Sequence, residues 1–174
     1  MKRSKSPVLH TPRLCLRAMT PEDAGDVVKL LTHEEVGKTY MVPDFSSPED
    51  VHKLFRRLME LSCDDERFVY GVYREDRLIG LINDVEISED TVELGYVIHP
   101  QQKNQGFATE VLAAAIRELF TLGYDAVKAG AFAENPASMR VMEKCGMTPT
   151  GQDEDIPYRG RIHRCINYKI RKPV

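Results

Sequence analysis

The sequence predicts a single α/β domain, a mixed sheet carrying helices in the order β-αα-βββ-α-β-α-ββ. Three observations predict it. A helix-start motif of one grammar occurs three times; three short apolar runs separated by polar turns stand together mid-chain; and a strand–glycine–helix junction follows them. The length of 174 residues fits one domain, against roughly 100–200 residues per domain.

In chain order, residues 1–7 are expected to fray as a flexible tail. Leu14 and Leu16 then alternate with Arg13, Cys15 and Arg17, the period of a half-buried strand. Thr20-Pro21-Glu22-Asp23 opens a helix with a capping hydroxyl, proline at the first position and acids in the first turn. Ala24, Val27, Val28 and Leu31 form its buried stripe. Ser47-Pro48-Glu49-Asp50 opens a second helix, carrying Val51, Leu54, Phe55, Leu58 and Leu61. Residues 34–46 between them, with Tyr40, Met41 and Phe45, are expected to be loop.

Apolar runs at 68–73, 78–87 and Thr91–Ile98, separated by short polar turns, predict an antiparallel meander. His99-Pro100 stops it. Val111, Leu112, Ala115, Ile116, Leu119 and Phe120 give a helical stripe over 108–122, ended by Gly123. Ala126–Phe132 reads as a strand, and Asn135-Pro136-Ala137-Ser138 starts a short helix that ends at Gly146. Two last strands flank Tyr158-Arg159-Gly160-Arg161 and end at Ile170.

Composition narrows the function. With 24 basic and 27 acidic residues the net charge is −3, so the simplest sign of nucleic-acid binding, a strongly basic domain, is missing. Direct nucleic-acid contact is not expected, and the basic residues from Arg159 to Lys172 read as a solvated or hairpin-pairing set. Cys15, Cys63, Cys145 and Cys165 include no CxxC pair, so no metal is expected. Neither a secretion signal nor a run of ~20 apolar residues is seen. A cytoplasmic protein with reduced thiols, bound to no membrane, is the expectation.

The stretch richest in chemistry is Glu93-Leu-Gly-Tyr-Val-Ile-His-Pro-Gln-Gln-Lys-Asn-Gln-Gly-Phe-Ala-Thr-Glu110. Gly106 lets the backbone approach a ligand closely, while the first N–H groups of the following helix have no intrahelical partners. Such groups beside a positive dipole end suit a phosphate or pyrophosphate. Neither GxGxxG nor GxxxxGK[ST] is present, which removes support for ordinary dinucleotide and nucleoside triphosphate readings.

Lys103-x-x-Gly106-x-Ala108, after Val97-Ile98-His99-Pro100, resembles the acetyl-CoA signature of the GCN5-related N-acetyltransferases (GNATs), Gln/Arg-x-x-Gly-x-Gly/Ala. Asn135-x-x-Ser138-x-x-Val141-x-Glu143-Lys144-x-Gly146-Met147 is similar to the superfamily's second motif. Thr11-x-Arg13-Leu14-x-Leu16-Arg17 and the Glu93-Leu-Gly-Tyr96 strand resemble the branch of ribosomal-protein N-terminal acetyltransferases. The resemblance spans about residues 9 to 171, in order.

That resemblance implies a mostly antiparallel central sheet splayed in the middle, with helices on both faces. The strand at Thr91–Ile98 is bulged and splays from Ala126–Phe132, and pantetheine lies in the opening as an extra strand would. Tyr96, Val97 and Ile98 match the positions facing it, and an N–H near Val97 polarises the thioester carbonyl as an oxyanion donor. Lys103 matches the first signature position, and Asn104, Gln105, Gly106, Phe107, Ala108 and Thr109 match the pyrophosphate loop. Asn135 and Ser138 match residues near the sulfur end.

The implied activity is acetyl-CoA-dependent acetylation of a primary amine, a protein N-terminus or a small amine, by direct attack in a ternary complex. An ammonium has no lone pair, so a base must first take its proton. Glu93 is the candidate base, acting through water, with a pKa raised among apolar neighbours; the alternative is a salt-bridged strand residue. Ser138 is the candidate donor to the leaving thiolate; at the N3 position of its helix it can equally serve backbone donors. Asn135 reads as an N-cap in either case.

Two positions depart from the family pattern. Lys103 supplies a point charge where Gln or Arg is common. The tyrosine that often serves as general acid falls at Met142, which donates no proton. His163 and Tyr158 are weaker acid/base candidates, His99 reads as a solvated loop residue and Cys145 as packing. The competing reading from another class is a non-catalytic acyl-CoA-binding sensor or scaffold. A monomer or a homodimer is expected.

Overall fold

The computed structural model describes residues 4–174. Nine strands form one sheet among these residues: β1 (Val8–His10), β2 (Cys15–Arg17), β3 (Val69–Arg74), β4 (Arg77–Ile87), β5 (Thr91–Ile98), β6 (Ala126–Phe132), β7 (Thr148–Pro149), β8 (Glu154–Tyr158) and β9 (Arg161–Arg171). Their order is β1-β2-β3-β4-β5-β6-β9-β7, with β8 also pairing β9. Every pair is antiparallel except β5–β6. A parallel pair needs a crossover, and helix α4 (Phe107–Leu122) supplies it.

Helices cover both faces. On one, α1 (Ala24–Leu31), α2 (Glu34–Thr39) and α3 (Pro48–Ser62) pack Val27, Leu30, Val36, Val51 and Phe55 against Val69, Leu81 and Val97 of the sheet. On the other, α4 and α5 (Pro136–Lys144) pack Val111, Leu112, Leu119 and Met142 against Leu16, Val72, Ile82, Val92 and Leu94. The mixed sheet and its element order agree with the sequence reading. Gly123, at φ +102°, ends α4 in the left-handed conformation that a side chain resists.

Several expectations need correction. Residues 1–3 of the expected tail lie outside the described residues, but 4–7 are docked. The Lys5 ammonium is buried and donates to the carbonyls of Ser62 and Val69 at 2.9 and 3.1 Å, and the Ser6 carbonyl accepts from Tyr70 Oη at 2.6 Å. Residues 34–46 are not all loop, because α2 occupies the first six. Its N-cap is His33, whose ring Nδ1 accepts from Glu35 N–H at 3.2 Å; histidine lies outside the usual Ser/Thr/Asp/Asn capping vocabulary. Residues 21–23 form a single 3-10 turn before α1. β1 and β7 are too short to show a period.

The expected bulge lies next door. Asp84 faces Leu94 and Glu86 faces Glu93, which leaves Val85 as the extra residue on β4, not on β5. β4 carries a second extra residue, Ile79, against β3. Bulges increase local twist, so the strand beside β5 carries the distortion.

The splay itself is plain. β5 pairs β6 from Thr91–Ala126 to Leu94–Ala129 and no further. Beyond that point β6 continues against β9, through Gly130–Asn167 to Phe132–Cys165, while Gly95–Ile98 keep only β4.

Candidate active site

The fork between β5 and β6 opens into a cleft of about 400 Å³. β5 contributes Tyr96, Val97 and Ile98, the loop before α4 contributes Gln102, Lys103 and Asn104, and α4 begins along it with Gly106, Phe107, Ala108 and Thr109. α5 adds Asn135, Ala137, Ser138, Arg140, Val141 and Lys144, and α2 adds Val36 and Thr39. Asn104 and Gly106 both have positive φ, 62° and 81°, which turns the chain sharply into the helix.

The start of α4 is an anion cradle by construction. Glu110 N–H makes the first helical bond, to the Gly106 carbonyl at 3.1 Å. No acceptor among the described residues takes the N–H groups of Phe107, Ala108 and Thr109. The helix dipole adds positive potential there, and Lys103, Arg140 and Lys144 line the same cleft. Behind the loop, Arg13 pairs with Glu110 at 3.0 Å and lies over the Phe107 ring.

Eleven of the twelve residues expected to hold cofactor line this cleft. Gln105 does not: its Oε1 accepts from Arg74 Nη1 at 3.5 Å. Asn135 is the N-cap, its Oδ1 accepting from Ser138 N–H at 3.3 Å, and it faces the cleft as well. Ser138 Oγ lies 2.6 Å from Tyr96 Oη. Met142 is fully buried in the core.

Glu93 is set apart from that lining. Val92 and Leu94 belong to the α4–α5 core, so strand alternation puts Glu93 on the opposite face, with Val97. Burial raises its carboxyl pKa above the usual range, Glu154 and Glu86 add to the rise, and Lys128 opposes it. The α1–α3 face therefore carries a carboxyl group that holds its proton more tightly than an ordinary glutamate.

The weaker candidates make contacts within the fold. Tyr158 Oη donates to the Gly37 carbonyl at 2.6 Å and accepts from Val42 N–H at 3.3 Å. His163 stacks on Phe132 with ring centroids 4.4 Å apart and lies 3.3 Å from Glu134 Oε1. His99 caps the turn at Pro100–Gln102, its Nδ1 accepting from Gln101 N–H at 3.1 Å; burial and His33 lower its pKa. Burial pushes the Cys145 thiol up to about 11, as suits packing. Arg159, Arg161 and Arg164 pair with Asp44, Glu134, Asp153 and Asp155.

The sequence reading gave no cofactor role to Val36, Thr39, Gln102, Ala137, Arg140, Val141 and Lys144, although Val141 and Lys144 stand in the second motif. Helical spacing offered a signal for four of them: Ala137, Arg140 and Lys144 follow one another along α5 at steps of three and four, and Val141 lies three residues on from Ser138. Val36 and Thr39 had none, because α2 itself went unread.

Comparison with known proteins agrees with this geometry. The profile of the acetyltransferase (GNAT) domain matches residues 13–148. The chain belongs to the GNAT family. An uncharacterized N-acetyltransferase of Bacillus subtilis, YoaA, is 30% identical over 173 residues, covering 96% of this chain and 98% of that protein. A GNAT-family acetyltransferase from Bacillus anthracis superposes with a TM-score of 0.82 at 25% identity, covering 94% and 98% of the two chains. RimL, a ribosomal L7/L12 alpha-N-protein acetyltransferase solved with coenzyme A, superposes with a TM-score of 0.83 at 17% identity, over 94% and 97%. These GNAT relatives are named as acetyltransferases, and they give no support to a non-catalytic module. Among the described residues no three His, Cys, Asp or Glu side chains are placed to hold a metal, and no helix is long and apolar enough to cross a membrane.

Proposed function

We propose that this GNAT protein transfers the acetyl group of acetyl-CoA to a primary amine, a protein N-terminus or a small amine, by direct attack in a ternary complex. One observation carries the reading: the open β5–β6 fork leads to three unpartnered amides at the start of α4. Backbone edges that lack partners are sites for an extended ligand rich in amides, and helix N-termini are sites for its diphosphate. RimL, with the same fold, was solved with coenzyme A.

When bound, acetyl-CoA supplies a thioester already activated toward amines. The chain's own groups do the rest. The amides of Phe107, Ala108 and Thr109, with Lys103, hold the diphosphate. The edge of β5 at Tyr96, Val97 and Ile98 aligns the pantetheine arm, and an N–H near Val97 donates to the carbonyl oxygen as negative charge develops there. Glu93 receives the amine's proton through water from the opposite face of the sheet. Ser138 donates a hydrogen bond to the departing sulfur. Four free cysteines fit a reducing, cytoplasmic compartment, with the protein a monomer or homodimer.

A thiol-release assay with acetyl-CoA and a panel of ribosomal-protein N-terminal peptides, polyamines and aminoglycosides tests this. Steady release that depends on one of these amines is the expected result. Tight CoA binding with no release for any amine overturns the transferase reading.

A further inference from the structure

Tyr96 and Ser138 meet across the cleft from different elements, the phenol from the sheet and the alcohol from the first turn of α5. Their oxygens are 2.6 Å apart, and the phenol oxygen is 3.3 Å from the Ser138 carbonyl. We propose that Tyr96 is a positioning residue that occupies the Ser138 oxygen and so turns the Ser138 hydroxyl proton into the cleft, toward the leaving sulfur. The inference rests on the role given to Ser138 above.

Two hydroxyls in contact share one hydrogen bond, and the stronger acid is the better donor. A phenol is a far stronger acid than an alcohol, so Tyr96 O–H donates and Ser138 Oγ accepts. The alternative acceptor, the Ser138 carbonyl, lies outside the usual O–H···O range of about 2.5–3.0 Å. Asn135 Oδ1 holds the Ser138 backbone N–H at 3.3 Å, so the serine cannot swing away with its turn. With one lone pair taken by the phenol, the serine proton is left for a partner in the cleft that both residues line.

Tyr96 keeps its own proton throughout. Burial pushes its pKa up to about 12, so the phenol stays protonated at any ordinary working pH. In the step itself the amine nitrogen bonds to the acyl carbon and the C–S bond breaks with its electron pair on sulfur. The amine's proton leaves toward Glu93. Ser138 stabilises the thiolate by hydrogen bonding, and the thiolate takes its proton from water after release.

Three variants test this: Tyr96→Phe, Ser138→Ala and the double variant. Two readouts are needed, kcat for acetyl transfer and the thiol pKa of bound CoA, followed by thiolate absorbance in the ultraviolet. Loss of a hydrogen bond to a charged group corresponds to about a tenfold to hundredfold fall in kcat. That fall is expected in Tyr96→Phe and in Ser138→Ala, with no further fall in the double variant. The bound thiol pKa rises equally in all three, while each variant still binds CoA and keeps a single cooperative melting transition, which reports intact folding. Additive losses, or a bound thiol pKa unmoved by Tyr96→Phe while Ser138→Ala raises it, overturn the inference and leave the role of Ser138 standing. A normal Ser138→Ala enzyme overturns that role as well.

Discussion

The two walls of the cleft are built by different physics. The wall formed by β5, α4 and α5 is made of local devices: two positive-φ residues, a helix start with unpartnered amides, an Asn cap. The wall on the opposite face is made of distant parts. α2 is held there by Tyr158 from the β8–β9 hairpin, through its bonds to Gly37 and Val42, and by the Arg159 guanidinium packed over Gly37. A wall of local devices can keep the one chemistry proposed for it, diphosphate capture, with little help from the rest of the chain. A wall assembled from remote segments can be altered one loop at a time, which suits the side proposed to receive the amine.

Substitutions can break or sharpen that contrast. Glu93→Gln, on the α1–α3 face, is expected to lower kcat by about a thousandfold, within the range of general acid–base catalysis, with CoA affinity unchanged. The same variant erases the acid limb of the pH–rate profile. In the parent that limb sits above the ordinary carboxylate range, because burial raises the Glu93 pKa. Calorimetry with CoA and steady-state rates against pH check both.

Gly106→Glu strikes the other wall. A side chain at positive φ costs about 1–2 kcal/mol of stability, bound or free; separately, like-charge repulsion of about 3 kcal/mol beside the diphosphate corresponds to about a hundredfold loss of CoA affinity. Unchanged affinity would mean that the diphosphate sits elsewhere. Tyr158→Phe leaves the Gly37 carbonyl without its donor and is expected to cost about 1–3 kcal/mol of stability. Thermal melting should show that loss, and the acceptor KM should rise while CoA affinity holds. If CoA affinity falls as well, the walls are not independent.

The smallest expected effect is on stability against pH. Glu93 binds its proton more tightly folded than unfolded, so its contribution is fully present below the unfolded pKa and is lost as pH rises through the folded one. At neutral pH the buried carboxylate therefore opposes folding. Glu93→Gln should melt higher than the parent near pH 7, with the gain vanishing in acid; melting scans across pH check the sign.

The contrast also explains what could be read from the chain alone. Ser47-Pro48, Asn135-Pro136 and Gly106 announce their structures within a few residues, and Thr91–Ile98 and Ala126–Phe132 are strands at the expected bounds. α2 announces nothing, since its cap is a histidine and its apolar content is one valine beside Gly37. The bulge was assigned to β5 but belongs to β4, because extra residues are fixed by which strand must bend, a property of the whole sheet. Lys5 looked like a tail residue because its acceptors, the Ser62 and Val69 carbonyls, are more than fifty residues away. The sulfur-side pair was half legible: Ser138 stood out through its motif, but its meeting with Tyr96 requires β5 and α5 to be side by side.

Only four residue pairs, Thr91–Ala126 to Leu94–Ala129, stitch β5 to β6. The sheet is thereby two stiff plates sharing a short seam, with bare edges facing each other past its end. A molecule that zips into those edges becomes part of the scaffold, so main-chain amides of residues 95–98 and 130–132 should exchange with deuterated solvent more slowly once it is in place. Loading and stiffening are then one event.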